Sequence, residues 1–284
     1  MIGHLPLSVV IDKDLSHHVY VLEQPLRPGD SLELNFLVQY NPQGFKQKGI
    51  KPLVVEGGTN FTNFDLLPTI GYFSDRELDD AVIRKKYLLT ARPEMPSLYD
   101  PEARKKPMNK NQTTFEAIIG TAMNEVAVAP GALQRTWTEN DRRYFHYKTD
   151  SQIGGEYSVL SADYAVIESK WKDVAIKIYY HPGHNQNIDK MMNSIQASLE
   201  YYTEQFGAYP YKNFTAIERA GPGSGASADA GIIYYGEQYG LMNPDDSPTC
   251  FDLQYYIMAH ELAHQWWGLA RLNPAYVEGA RCFD

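Results

Sequence analysis

The apolar positions of this chain change period about halfway along. In the first part they alternate with polar ones. Leu32, Leu34, Phe36 and Val38 follow the breakers Arg27, Pro28, Gly29 and Asp30, which predicts a turn and then a half-buried strand. Residues 19–22, 52–55, 115–120, 126–129, 143–148 and 157–160 are further strand candidates, separated by breakers such as Gly57 with Gly58 and Pro130 with Gly131. Many short strands punctuated in this way predict an antiparallel sandwich or saddle. A short helix is expected over 75–86. The stretch 95–111 reads as a solvated loop, its run Arg104, Lys105 and Lys106 included.

In the second part Val174, Ile176, Ile178 and Tyr180 alternate once more and lead into the turn His181, Pro182, Gly183, His184. Those two histidines have no third metal ligand nearby in sequence and read as turn residues. Ile188, Met191, Met192, Ile195, Leu199, Tyr202 and Phe206 then recur at spacings of three and four, an amphipathic helix that Gly207 and Pro210 stop. Strands are expected over 214–218 and 232–235, around a glycine-rich loop at 221–225. That loop lacks the G-K-[ST] and the following helix of a nucleotide cradle. Finally, 251–267 contains no Pro or Gly and is rich in apolar residues, which predicts a helix buried on most sides. A boundary near Lys170 divides the chain into a β-rich domain, 1–170, and a mixed domain, 171–284, so the expected fold class is α+β multidomain.

Composition narrows the function classes. Of the 284 residues, 43% are hydrophobic and 21% charged, with a net charge of -9, which argues against nucleic acid or an anionic membrane as partner. No stretch approaches 18 uninterrupted apolar residues, so no transmembrane segment is expected in this chain. Cys250 and Cys282 lack metal-type spacing and are expected to be buried thiols. Compartment is left open.

The candidate chemistry lies in the last helix. His260 and His264 are four apart and therefore share a helix face, where two imidazoles can bind one metal. Glu261 stands beside them as a general base. The motif is H-E-x-x-H, and the chemistry it points to is metal-assisted hydrolysis.

The longer string His260-Glu261-Leu262-Ala263-His264-Gln265-Trp266-Trp267-Gly268 resembles the zinc-binding segment of the aminopeptidase N family of zinc metallopeptidases (gluzincins), in which H-E-x-x-H-Q-W-[FW]-G is typical. It is also similar to diverged members fused to transporter permease subunits. The resemblance implies an antiparallel β domain followed by a thermolysin-like α/β catalytic domain, here incomplete at its end. It implies Zn2+ as cofactor and a peptide as substrate. The permease-fused members imply a covalent or non-covalent link to a membrane permease in the full protein. The chain is expected to be a piece of a longer protein and inactive on its own.

Two family features differ here. The stretch Gly225-Ala226-Ser227-Ala228-Asp229-Ala230-Gly231-Ile232-Ile233 is similar in frame to the family's G-A-M-E-N motif, whose backbone pairs with the peptide and whose Glu holds its free amine. Gly225 and Ala226 are kept, Ala228 replaces the Glu, and Asp229 is the anionic alternative one position on. Glu218 and Glu237 are further carboxylates that could approach the cleft, but they read as solvated surface charges. The family's third metal ligand, a Glu nineteen positions beyond the second His, would fall at Phe283, which leaves Glu278, Asp284 or a Glu past the chain end. A zinc-bound accessory module without peptidase activity is the alternative reading, motivated by Ala228.

Overall fold

The computed structural model describes residues 6–14, 17–41, 53–71, 77–105, 112–221, 223–241, 251–269 and 277. It contains two compact units, Met1–Asn41 and Pro42–Asp284. In the first, β1 (Pro6–Asp12) pairs antiparallel with β2 (His17–Leu22), Val9 opposite Tyr20 and Asp12 opposite His17. The expected turn at Arg27 to Asp30 forms: Asp30 N–H donates to the Arg27 carbonyl at 2.9 Å, Arg27 N–H donates to Asp30 Oδ2 at 2.8 Å, and Gly29 takes a φ of 93°. The strand expected over Leu32, Leu34, Phe36 and Val38 does not. Among the described residues nothing pairs with it, and Phe36 stays 50% exposed. Alternation specifies a strand only where a neighbour takes its hydrogen bonds and buries one face.

The second unit is built from sheets. β3 (Val54–Val55), β4 (Gly58–Thr62), β7 (Val126–Val128) and β11 (Ser158–Ala162) form one, in the order β3-β4-β11-β7. β6 (Glu116–Thr121), β8 (Ala132–Glu139) and β9 (Arg142–Lys148) form a second, with β9 central, and β5 (Gln112–Thr113) pairs with β10 (Ile153–Gly154). Ala127, Phe145, Tyr147 and Val159 pack between the first two sheets. Thr62 caps the single turn α1 (Asn63–Leu66). The helix expected over 75–86 is α2 (Ala81–Lys86); it starts at Asp80, whose side chain accepts from Ile83 N–H at 2.7 Å, while residues 75 and 76 lie outside the described residues.

The sheet that positions the candidate site has five strands: β12 (Ala165–Trp171), β13 (Val174–Tyr180), β14 (Asn213–Glu218), β15 (Ala226–Asp229) and β16 (Ile232–Tyr235), in the order β12-β13-β14-β16-β15. The pairs β13–β14 and β14–β16 are parallel and the outer two antiparallel. Lys170 falls inside β12, which pairs with β13 from Ala165 to Trp171, so this sheet begins at Ala165.

The sheet is buried on both faces. Ile176, Ile178, Phe214, Ala216, Ile233 and Tyr235 face α3 (Ile188–Phe206) and α5 (Leu253–Ala263), which contribute Met191, Ile195, Leu199, Met258 and Leu262. Each such fully buried side chain stabilises by about 1.5–3 kcal/mol. Tyr179, Ile217, Ile232 and Tyr234 face the other way, against Val128, Leu160 and Ala162 of β7 and β11. Gly207 ends α3 with a φ of 98°, a conformation that costs glycine least. A short α4 (Glu237–Leu241) follows β16. The architecture is mixed α+β, with several antiparallel pairings and few helices. No described helix is long and apolar enough to cross a membrane.

Candidate active site

Helix α5 carries the two histidines. Asp252 caps its start, its side chain accepting from Tyr255 N–H at 3.0 Å. Ile257, Met258 and Leu262 bury one side against the five-stranded sheet. The helix is shorter than the apolar run: His264 is its C-cap, at φ -59° and ψ -21°, and residues 264–266 form a turn. Because that cap keeps helical angles, the one-turn spacing survives. The rings of His260 and His264 lie 5.2 Å apart between centroids, at 83° to one another. Glu261 beside them is 7% exposed.

A backbone carbonyl holds the His264 ring. Its Nδ1 lies 3.2 Å from the Trp267 carbonyl oxygen, which can only accept, so the contact suits the neutral tautomer with the proton on Nδ1 and a lone pair on Nε2. A ring N–H held by a carbonyl is the usual support of a metal-bound imidazole. Two imidazoles one helical turn apart are donors of the kind zinc takes. Among the described residues no group of three or more His, Cys, Asp or Glu is placed to hold an ion. Glu278 and Asp284, the third-ligand candidates, lie outside the described residues, as do Cys250 and Cys282.

The residues after His264 tie α5 to its surroundings. Gln265 is fully buried. Its Oε1 accepts from Gly231 N–H at 2.8 Å and its Nε2 donates to the Asp229 carbonyl at 3.0 Å, gripping the turn between β15 and β16. Trp266 donates from Nε1 to the Gly207 carbonyl at 2.8 Å, and Trp267 packs on Phe206 with ring centroids 4.5 Å apart. Sequence pattern marked these positions only as part of a resembling string. Here they seat the turn that carries His264.

β15 is the outer strand of the sheet, hydrogen-bonded on one side only among the described residues. Gly236 N–H donates to the Gly225 carbonyl at 2.9 Å, so in this antiparallel register Ser227 and Asp229 also point their backbone groups at β16, and those of Ala226 and Ala228 point outward. Side chains alternate as well. Ala226 and Ala228 stand opposite Tyr235 and Ile233, on the α5 face; Ser227 and Asp229 stand opposite Tyr234 and Ile232, on the other. Ala228, in the place of the amine-binding Glu, therefore faces the helix, while the Asp229 side chain faces away from it. Burial, with Glu156 adding to it, raises the pKa of Asp229 to about 6, against the opposing pull of Tyr234 and Arg219.

Of three polar residues nearby, Arg219 escaped sequence reasoning, while Glu218 and Glu237 were expected as surface charges. Glu218 is a correction: it is fully buried, not a solvated charge, and accepts from His181 N–H at 2.9 Å and from His184 Nδ1 at 2.7 Å. The turn histidines thus meet a carboxylate from the end of β14. Glu237 approaches His184 Nε2 at 3.9 Å and is partly exposed. Arg219, next in sequence, reaches across β16 to β15, and burial lowers its pKa. The available signal was position, since charged residues at the carboxyl end of a parallel strand border the crevice where ligands of such sheets bind.

No protein-family model matches the chain. It is similar to aminopeptidase N of Lactobacillus helveticus, 28% identical over 198 residues, covering 61% of this chain and 23% of that protein. Aminopeptidase N of Acetobacter pasteurianus is 27% identical over 164 residues, 55% of this chain and 46% of that protein. Glutamyl aminopeptidase of Bos taurus is 28% identical over 99 residues, 34% of this chain and 10% of that protein. The chain spans less than half the length of these curated relatives. They support a distant relationship to the aminopeptidases. They lend no support to a link with a transporter permease.

Proposed function

We propose that the chain carries the metal-binding part of a zinc-dependent, aminopeptidase-like peptidase with a thermolysin-like catalytic frame. The supporting observation is the way Gln265 fixes His260, Glu261 and His264 beside the outward-facing backbone of β15. His260 and His264 would hold the ion, with Glu278, Asp284 or a Glu from beyond the chain end as third ligand. Zinc supplies a Lewis acid that acidifies water and polarises a carbonyl.

The chain's own residues do the rest. Ala226 and Ala228 pair through their backbone with an extended peptide, and Gly225 lets the chain enter β15 at a φ of 93°. Glu261 takes the proton of the attacking water and passes it to the leaving amine. Asp229 lies on the far face of the strand, where it and Arg219 act on one another at longer range. The α5 face of β15 bears methyl groups only, so this strand holds no carboxylate toward α5 for a free amine. That same observation favours the second reading, an accessory module that binds zinc without hydrolysis.

The test is hydrolysis of a free peptide and its N-acetylated counterpart by the zinc-loaded full-length protein. Cleavage of both, abolished by a chelator and restored by zinc, is the expected result. Cleavage of neither with zinc fully bound would establish the accessory module instead.

A further inference from the structure

We propose that Arg219 is a recognition site for an acidic side chain of the peptide, an inference that rests on the peptidase reading and names its substrate class. Arg219 follows β14 directly, its N–H donating to the Tyr235 carbonyl at 2.8 Å. Its guanidinium passes over the Tyr234 ring, 5.7 Å from the centroid. It ends on the outer strand, where Nη2 donates to Ser227 Oγ at 2.6 Å and Nη1 to the Gly225 carbonyl at 3.4 Å.

This placement leaves an unmet demand. A guanidinium has five N–H donors, and these bonds take up two. Arg219 is partly buried, yet among the described residues no carboxylate comes within ion-pair distance of it. Asp229 and Glu261 act on it only at longer range. None of its atoms is both buried and without a partner, so its open donors face outward, where an anion can reach them. The flat ring beneath it and the hydroxyl beside it fix its plane, the arrangement suited to a carboxylate taken by two parallel hydrogen bonds.

The strand geometry says which substrate groups arrive there. A peptide added along β15 sends alternate side chains to opposite faces of the sheet. One set faces α5. The other falls on the Ser227 face, where the guanidinium lies. An acidic side chain in that set meets Arg219, a neutral one leaves it unpaired, and a basic one is repelled.

The experiment uses zinc-loaded full-length protein and a peptide series in which one Glu is moved through the first three residues, each with a Gln counterpart. Both kcat/KM and affinity are read, the latter by fluorescence anisotropy of labelled peptides on the Glu261→Gln protein. Expected is a Glu over Gln preference of about tenfold or more at one position and little at its immediate neighbours. In Arg219→Gln and Arg219→Met that ratio falls toward one. Equal treatment of Glu and Gln at every position by the wild type overturns the proposal, even if neither variant folds; so does a preference that survives both substitutions. Should no peptide be hydrolysed, the peptidase reading fails separately. Affinity then decides for Arg219, and Glu peptides bound no more tightly than Gln peptides would overturn it.

Discussion

Gln265 and Gly231 are 34 residues apart in sequence and joined by a 2.8 Å hydrogen bond from the Gly231 N–H to the Gln265 side chain, within the buried junction of α5 and the β15–β16 turn. With the second, part-buried bond to the Asp229 carbonyl, one amide satisfies both a donor and an acceptor. Gln265→Ala should cost about 2–3 kcal/mol, the sum of two hydrogen bonds. Gln265→Glu should cost more, because it sets a carboxylate against the Asp229 carbonyl. Urea unfolding measures both, and a Glu variant more stable than the Ala variant would contradict the geometry.

Asp229 makes a pH-dependent prediction. Its folded-state pKa is raised from 3.8 to about 6, chiefly by burial, so the folded protein binds this proton more tightly than the unfolded chain. Wild-type stability therefore falls as pH rises from about 4 to about 6, and the penalty is complete above that window. Asp229→Asn does not titrate. It should gain up to about 3 kcal/mol on the wild type above pH 6 and match it most closely below pH 4. The difference in Tm between the two proteins across this range is the readout; a difference independent of pH would count against the burial of this carboxyl.

Glu218 supplies a third prediction. It is fully buried, and its carboxylate accepts from a backbone N–H and an imidazole. Glu218→Ala leaves both donors unpaired and should cost about 2–4 kcal/mol. Glu218→Gln keeps an acceptor for only one of them and should fall between the two. Thermal unfolding checks the order, and an Ala variant as stable as the wild type would refute the buried pairing.

How much of this could be read from the chain depended on whether a local pattern sufficed. The spacing from Ile188 to Leu199 gave α3 because a helix buries one face against the sheet and needs no partner strand for its hydrogen bonds. The strand reading of 32–38 failed for the opposite reason. β8 was missed because nearly all of its side chains are exposed and no alternation marks it, although it pairs with β9 along its length. In β4, the sequence Gly58-Thr59-Asn60-Phe61-Thr62 hides a paired strand behind polar residues. At the site, the helical spacing of His260 and His264 was legible in the motif. The contacts of Gln265, Glu218 and Arg219 were not, since each is made by the sheet and its crossovers, between residues that no sequence period brings together.

The most direct test of the central claim, that His260 and His264 bind zinc for hydrolysis with Glu261 as the base, is paired measurement of zinc content and peptide cleavage in the full-length protein and its Glu261→Gln variant. Zinc retained at the wild-type level with cleavage reduced by about a hundredfold or more is the predicted result. Cleavage at the wild-type rate in Glu261→Gln, or a wild-type protein that binds no zinc, would contradict it.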